Sequence, residues 1–424
     1  MNASSPGGAA YTRRVLLASL VGTAVEFYDF YIYATAASLV FGPLFFPKGS
    51  PTAQLLSSYA TFALAFVARP VGGWIFGHFG DRIGRKSTLV ASLLLMGGST
   101  IAIGFLPTYA SVGWVAPLLL CILRFGQGLG LGGEWGGAAI LAVENAPPGW
   151  KARYGMFPQL GAPLGFLVAN GLFLGLGLLL GPDQFRDWGW RLPFIASAGL
   201  VAVGLWVRLT LVETPAFAKA LEAAPPADIP LVEVLTNYPR QVVGGIFAVI
   251  AVFAIYYVMT AFALGYGVST LHYARNDFLE VQLGAIGFMA IGIVASAYIA
   301  DATDSRRAMM LGCVVAIAVS FLLAPMLGAG SLFPVWGFLS LGLLAMGLVY
   351  GPIGAFLPGL FPARVRYTGA SMAFNLGGVL GGGLTPFIAL SLAQHGGLAS
   401  VGYYVAGAAL VSLLALLPLT YREE

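Results

Sequence analysis

Hydrophobic residues in this chain run in long blocks, and the polar residues gather in the gaps between them. A membrane-spanning α-helix takes about 20 mostly apolar residues, and the pattern predicts twelve such stretches. They are Val15–Phe41, Leu55–Gly77, Thr88–Phe105, Trp114–Glu144, Tyr154–Leu180, Leu192–Val212, Val242–Val268, Val281–Ile299, Ala308–Leu327, Leu332–Leu360, Ala370–Leu392 and Val401–Leu419. The predicted fold class is an all-α integral membrane protein with twelve transmembrane helices. The longest polar gap, Glu213 to Arg240, holds Pro215, Pro225, Pro226, Pro230 and Pro239. It divides the chain into six plus six: an N-terminal bundle over 15–212, a central loop over 213–241 and a C-terminal bundle over 242–419, with short tails at 1–14 and 420–424. Each half has a basic turn after its second stretch, Gly77 to Lys86 in one and Asp301 to Arg307 in the other. Internal duplication explains this layout, and transporters are commonly built from such repeats around a midplane site.

Charge sets the orientation. With the N-terminus inside, the segments on that side hold 15 of the 21 lysines and arginines, against 4 on the other side and 2 (Arg69 and Arg124) within the membrane. An excess of that kind marks the cytoplasmic side, so both termini are expected there. The net charge of +4 then calls for no nucleic-acid partner. Hydrophobic residues make up 58% of the chain and charged ones 9%, with a mean hydropathy of +0.86, far from the roughly 25% charge of soluble domains.

The remaining motifs remove alternatives. The 58 glycines suit close helix approach in a membrane, so the run from Gly126 to Gly133 is expected to be a helix-packing face. No Gly-Lys-Ser/Thr follows it, which argues against a nucleotide loop. Cys121 and Cys313 fall inside predicted spans as small buried hydrophobes, and His78, His272 and His395 are too scattered for a metal site. Arg13 and Arg14 precede an apolar run, but Glu26, Asp29 and several tyrosines interrupt it and it is too long for a signal core. No nucleophile, metal cluster or cofactor motif supports an enzyme, and no cofactor is expected.

What the pattern singles out is charge inside apolar stretches. Glu26, Asp29, Arg69, Arg124 and Glu134 lie where lipid tolerates a charge only beside water or a partner, so each marks a working site by default; a structural ion pair is the plainer alternative. At about 1.5 Å of rise per residue, Glu26, Arg69 and Glu134 stand roughly 15–18 Å above the cytoplasmic ends of their helices and are expected to meet near the midplane. Glu26 and Asp29 are spaced i, i+3, on one helix face. Three acids against two arginines leave one uncompensated negative charge, which one proton would neutralise. The second half offers Tyr256, Tyr257, Thr260, Tyr266, Tyr350 and Asn375 in its spans, and no acid, lysine or arginine. Its expected contribution is hydrogen bonds and aromatic walls, with packing the alternative for any single tyrosine.

The six-plus-six layout and the turn Gly77 to Lys86 resemble the major facilitator superfamily. Val21 to Phe30, Arg69 to Gly73, Gly130 to Ala138, Gly189 to Phe194, Val212 to Pro215 and Arg364 to Ser371 narrow the resemblance to its metabolite:proton symporter family, carriers of proline and betaine, α-ketoglutarate, citrate and shikimate. The resemblance implies a multi-pass inner-membrane protein, acting as a monomer, that moves a small-molecule metabolite together with protons by alternating access. Similarity of the fourth span to sugar:proton symporters makes Asp29 with Arg124 the proton-coupling candidates; Glu26, which has no counterpart in the sugar carriers, is a second proton candidate whose protonation would free Arg69. It also makes Asp81, Arg82, Arg85 and Glu144 the cytoplasmic gate. Arg69, Glu134, Tyr256, Tyr257 and Asn375 are then the substrate cavity. The second basic turn lacks the glycine and Asp-Arg pattern of the first, and Gly359 replaces an acid common in relatives, which implies a looser second latch. The substrate class stays open: the arginines favour a carboxylate, while Glu26 and Glu134 suit a cation. Uniport or exchange without protons is the rival mode.

Overall fold

A computed structural model describes residues 9–83, 85–132, 134–210, 230–362 and 365–419, with the side chains of 9–11, 14, 77–89 and 207–210 outside the described set. The described chain is helical throughout. Long apolar runs fold this way in a membrane because only a helix satisfies its own backbone without water. The first half runs α1 (Ala9–Leu39), α2 (Pro51–Ile83), α3 (Arg85–Ile103), α4 (Val115–Leu131), α5 (Trp135–Glu144), α6 (Lys151–Leu179) and α7 (Leu192–Thr210). The second runs α8 (Pro239–Tyr257), α9 (Ala263–Ser269), α10 (Arg275–Ala302), α11 (Ser305–Ser320), α12 (Leu332–Tyr350), α13 (Ile353–Gly359), α14 (Arg366–Gly378) and α15 (Thr385–Leu416).

Within the described residues the predicted stretches fall largely on helix, and the interruptions have local causes. Glycines at 132 and 133 precede Glu134, which caps α5, so α4 and α5 are two pieces of one predicted stretch. Pro352 divides α12 from α13 in the same way, since proline donates no backbone bond. A π turn over Val258–Phe262 joins α8 to α9, and another over Val379–Gly383 follows α14. Within α15 the chain turns at Gly397, with φ of 71°, a left-handed conformation open to glycine at little cost. That turn separates the last two predicted stretches. Among the described residues nine helices are long and apolar enough to cross a membrane, one of them the 51-residue run Arg366–Leu416 that contains this turn. The ninth predicted stretch appears as a shorter helix, the 16-residue α11.

α1 packs on α6, α2 on α4, and α3 between α4 and α7; α10 packs on α12, and α8 on α14 and α15. Contact between the halves runs mainly along α6 with α10, α13 with α5 and α6, and α14 with α2. The glycine-rich run does form a packing face. A Cβ on Gly128 would lie 2.2 Å from the carbonyl oxygen of Ala65, one on Gly132 2.0 Å from that of Arg69, and one on Gly130 2.6 Å from that of Ser92. Outward, apolar side chains such as Val67, Trp74, Ile122, Trp206 and Ile291 are exposed, the surface expected where lipid is the solvent.

This packing predicts a contrast between two glycines. Gly128→Ala should destabilise the purified protein by about 1–3 kcal/mol, the usual cost of overpacking, because the obstruction is backbone. Gly98→Ala, with nothing within 4 Å of the added carbon, should leave the melting temperature unchanged. Equal melting temperatures for the two variants would contradict the packing face.

Candidate functional site

All five charges picked out in the apolar stretches are buried: Glu26, Asp29, Arg69, Arg124 and Glu134 are each at most 7% exposed. Among the described residues no other acid, lysine or arginine is buried. The fold arranges them in three places rather than one.

The first is a central cavity of about 30 Å³, lined by Glu26, Phe27 and Tyr31 of α1, Arg69 of α2, Trp135 of α5, Tyr256 and Tyr257 of α8, Tyr350 of α12 and Asn375 of α14, among others. The one acid, Glu26, and the arginine come from the first half, and Tyr256, Tyr257, Tyr350 and Asn375 from the second. The guanidinium of Arg69 rests on rings, 4.4 Å from the centre of Phe30 and 4.6 Å from that of Phe66, and its Nε has no hydrogen-bond partner. Tyr31 stacks on Tyr256 with ring centres 5.2 Å apart. At roughly 10–15 Å³ per ordered water, the cavity has room for about two waters.

The second place lies deeper in the first half. Arg124 is fully buried, with its guanidinium carbon 3.9 Å from the ring centre of Tyr33, 4.3 Å from Phe30 and 4.9 Å from Phe62. Its Nη1 donates to Gln127 Oε1 at 2.9 Å, and Gln127 Nε2 donates to Thr100 Oγ1 at 2.7 Å; Nε and Nη2 have no partner. Asp29 accepts a hydrogen bond from the Ser197 hydroxyl of α7. The expected Asp29–Arg124 ion pair is therefore replaced by neighbouring polar contacts. The reason is rotation: three residues turn a helix by 300°, so Asp29 sits some 60° around α1 from Glu26, towards α7. Phe30 joins the first two places, since both guanidinium groups lie against its ring.

Glu134 occupies the third place. Its Oε1 accepts from Ser92 Oγ of α3 at 2.6 Å, and it does not line the central cavity. The glycine break before α5 turns this side chain towards α3, which corrects its assignment to the cavity.

Among the described residues, contacts between the halves stand at both ends of the bundle. On the face carrying the turns after α5 and α10, Asp301 accepts from Arg153 Nε at 2.7 Å and from the backbone N–H groups of Ala152 at 2.8 Å and Arg153 at 3.1 Å. A carboxylate on exposed N–H groups at the start of a helix is a favourable pairing. The second basic turn thus holds α6 firmly, where a looser latch was expected. Trp135 stacks on Phe374 at 3.8 Å, and Asn375 Nδ2 donates to the Gly132 carbonyl at 2.9 Å. Glu144 is half-exposed and 4.0 Å from Arg366. Its expected partners Arg82 and Arg85, with Asp81, have side chains outside the described residues. At the other end Tyr59 and Ser38 donate to the Ala261 carbonyl at 2.7 and 3.1 Å, and Asn276 Nδ2 donates to the Gly177 carbonyl at 3.0 Å.

Sequence reasoning missed Gln127, Thr100, Ser197, Phe30, Asp301 and Gln282. Gln127 stood three residues from Arg124 on the same helix face, and Gln282 lay inside a predicted span; scanning for uncharged amides would have found both. Ser197 and Thr100 carry no sequence signal of their own.

Comparison with known proteins agrees with this architecture. A family profile described as Major Facilitator Superfamily matches residues 19–386. The inner membrane metabolite transport protein YhjE of Escherichia coli (strain K12) is 52% identical over 409 residues, 95% of this chain and 93% of that protein. The shikimate transporter of the same organism is 38% identical, covering 96% and 94%, and its proline/betaine transporter is 30% identical, covering 95% and 82%. Among solved structures, a partially occluded inward open conformation of the xylose transporter XylE from E. coli superposes with a TM-score of 0.75 at 15% identity, covering 96% of this chain and 97% of that one. The chain belongs to the Major Facilitator Superfamily, a multi-pass membrane transporter rather than an enzyme.

The Asp301 latch generates a test. With Cys121 and Cys313 replaced, a cysteine substituted for cavity residue Met346 should react several-fold faster with an impermeant maleimide applied to the Asp301 face in the Asp301→Ala background. An unchanged labelling rate would show that the latch does not hold that face shut.

Proposed function

We propose that this transporter is a proton-coupled symporter of a small organic acid or zwitterionic metabolite. In this reading it crosses the inner membrane twelve times, with both termini in the cytoplasm and two six-helix bundles over 15–212 and 242–419. The observation that carries the proposal is the Phe30 ring, with Arg69 of the central cavity and Arg124 of the deeper network both within 4.4 Å of its centre.

Asp29 is the proton carrier in this scheme and Arg69 the substrate anchor. With Asp29 ionised, its charge compensates the buried arginines across the low-dielectric interior. Protonation removes that compensation, and the Arg124 and Arg69 guanidinium groups then favour the arrival of a carboxylate. The Thr100–Gln127 bridge holds Arg124 in place while this happens. Glu26, in the cavity beside Arg69, sets how much negative charge the substrate must displace. Tyr256, Tyr257, Tyr350 and Asn375 of the second half supply walls and hydrogen bonds. Alternating access rocks one bundle against the other, breaking the Asp301 latch on one face and the Ala261 contacts on the other in turn. The names of the relatives, among them a shikimate and a proline/betaine transporter, support a carboxylate-bearing substrate.

The direct test is uptake of labelled shikimate, α-ketoglutarate, citrate, proline and betaine into proteoliposomes, with and without an inward proton gradient. Accumulation of one compound that collapses with the gradient is expected; gradient-independent exchange would replace symport by uniport or exchange. Asp29→Asn should abolish gradient-driven accumulation yet keep counterflow of the same compound. Phe30→Leu removes two cation–π contacts worth about 0.5–2 kcal/mol each. It should cut accumulation about tenfold with counterflow preserved, and Phe30→Tyr should restore it. Equal loss of both activities in Phe30→Leu would make the ring a packing residue only.

A further inference from the structure

Beyond the Tyr31–Tyr256 stack lies a second, smaller recess of about 10 Å³, whose lining includes Thr35, Asn170, Thr260 and Gln282 as well as the two stacked tyrosines. Asn170 and Gln282 are each 1% exposed. Gln282 Nε2 donates to the carbonyls of Met259 at 3.1 Å and Thr260 at 2.9 Å, within the π turn where helical pairing is altered. Those two bonds fix the amide orientation, so the atom left over is Oε1, and among the described residues it has no partner. On the facing half, Asn170 Oδ1 accepts from Thr35 Oγ1, and its Nδ2 is likewise without a partner. A buried donor or acceptor left unsatisfied costs about 1–3 kcal/mol, so a recess lined by one of each is a site built for something.

We propose that this recess is a hydroxyl-binding subsite of the transport cavity, and that the substrate is a hydroxylated carboxylic acid. Its carboxylate lies towards Arg69 and a hydroxyl between Asn170 and Gln282. The inference rests on the central cavity being the substrate site. The chemistry of the two free atoms selects the ligand. A hydroxyl both donates and accepts, so it satisfies Gln282 Oε1 and Asn170 Nδ2 together. A carboxylate only accepts and would leave the glutamine oxygen unmet, an ammonium only donates and would leave the asparagine N–H unmet, and a quaternary ammonium does neither. The lining holds no acid, lysine or arginine, which suits a neutral group. The volume suits one group of water size. A lone water has the same chemistry and size, and the experiment must separate it from a substrate hydroxyl.

Equilibrium binding to the purified full chain, followed by quenching of the fluorescence of cavity-lining Trp135, makes that separation with two probes, shikimate and cyclohexenecarboxylate, the same ring acid without hydroxyls. The wild type should bind shikimate at least about tenfold more tightly, since a site made to pair a hydroxyl rejects its deoxy analogue. Asn170→Leu and Gln282→Met should each bring the preference to about twofold or less, with cyclohexenecarboxylate affinity unchanged; either variant suffices if the other does not fold. A preference that survives both substitutions would assign the recess to water alone, and no preference in the wild type, or no binding of either acid, would overturn the subsite. The readout needs no proton gradient, so failure of proton coupling and failure of the subsite register in different experiments.

Discussion

The structure is organised around two guanidinium ions held in a nonpolar interior by aromatic rings. Taking such an ion out of water costs several kcal/mol even after relaxation. The usual remedy is a carboxylate in contact, and among the described residues no ion pair to either arginine is found. Arg124 has one hydrogen bond from its side chain, to Gln127, and three rings around it; Arg69 has two rings and the cavity. Contacts of this kind, worth up to about 2 kcal/mol each when desolvated, hold the ions without neutralising them. In the proposed scheme the buried acids act on these arginines at a distance rather than in contact.

That arrangement requires bulk water to be kept from the guanidinium groups and the backbones to be close. Glycines on α4 let α2 and α3 approach until carbonyl oxygens fill the space a side chain would take, which brings Arg69 and Arg124 to the same phenylalanine. Among the described residues polar contacts join the halves at both ends: Asp301 on the start of α6 at one end, Tyr59 and Ser38 on the Ala261 carbonyl at the other. The π turn makes the second set of contacts possible, because it alters the helical pairing of the carbonyls that Gln282, Tyr59 and Ser38 then engage. The central cavity lies between these two sets of contacts.

Much of this was legible in the chain. Apolar blocks gave the helices, and a charge within such a block stands out because lipid offers it nothing; the burial of Glu26, Asp29, Arg69, Arg124 and Glu134 follows from that contrast alone. Tyr256, Tyr257 and Asn375 reached the cavity as expected. What was not legible depends on rotation and on partners distant in sequence. Glu134 turned towards Ser92 because of a helix break whose angle no spacing encodes. Asp29 met Ser197, 168 residues away, rather than Arg124. Asp301 sat in a turn that had lost the pattern of its counterpart, and its role became visible only when α6 was placed beside it. Gln282 was passed over because a lone amide in an apolar stretch carries no charge to mark it.

The central claim, that the charge on the first-half network and the occupancy of the Arg69 cavity are linked, is tested most directly by proton movement itself. Proteoliposomes holding a pH-sensitive dye, with no imposed gradient and the membrane potential clamped, should acidify inside when the transported acid is added outside, and Asp29→Asn should abolish the signal while counterflow continues. Net uptake of the acid with no change in internal pH would contradict the account.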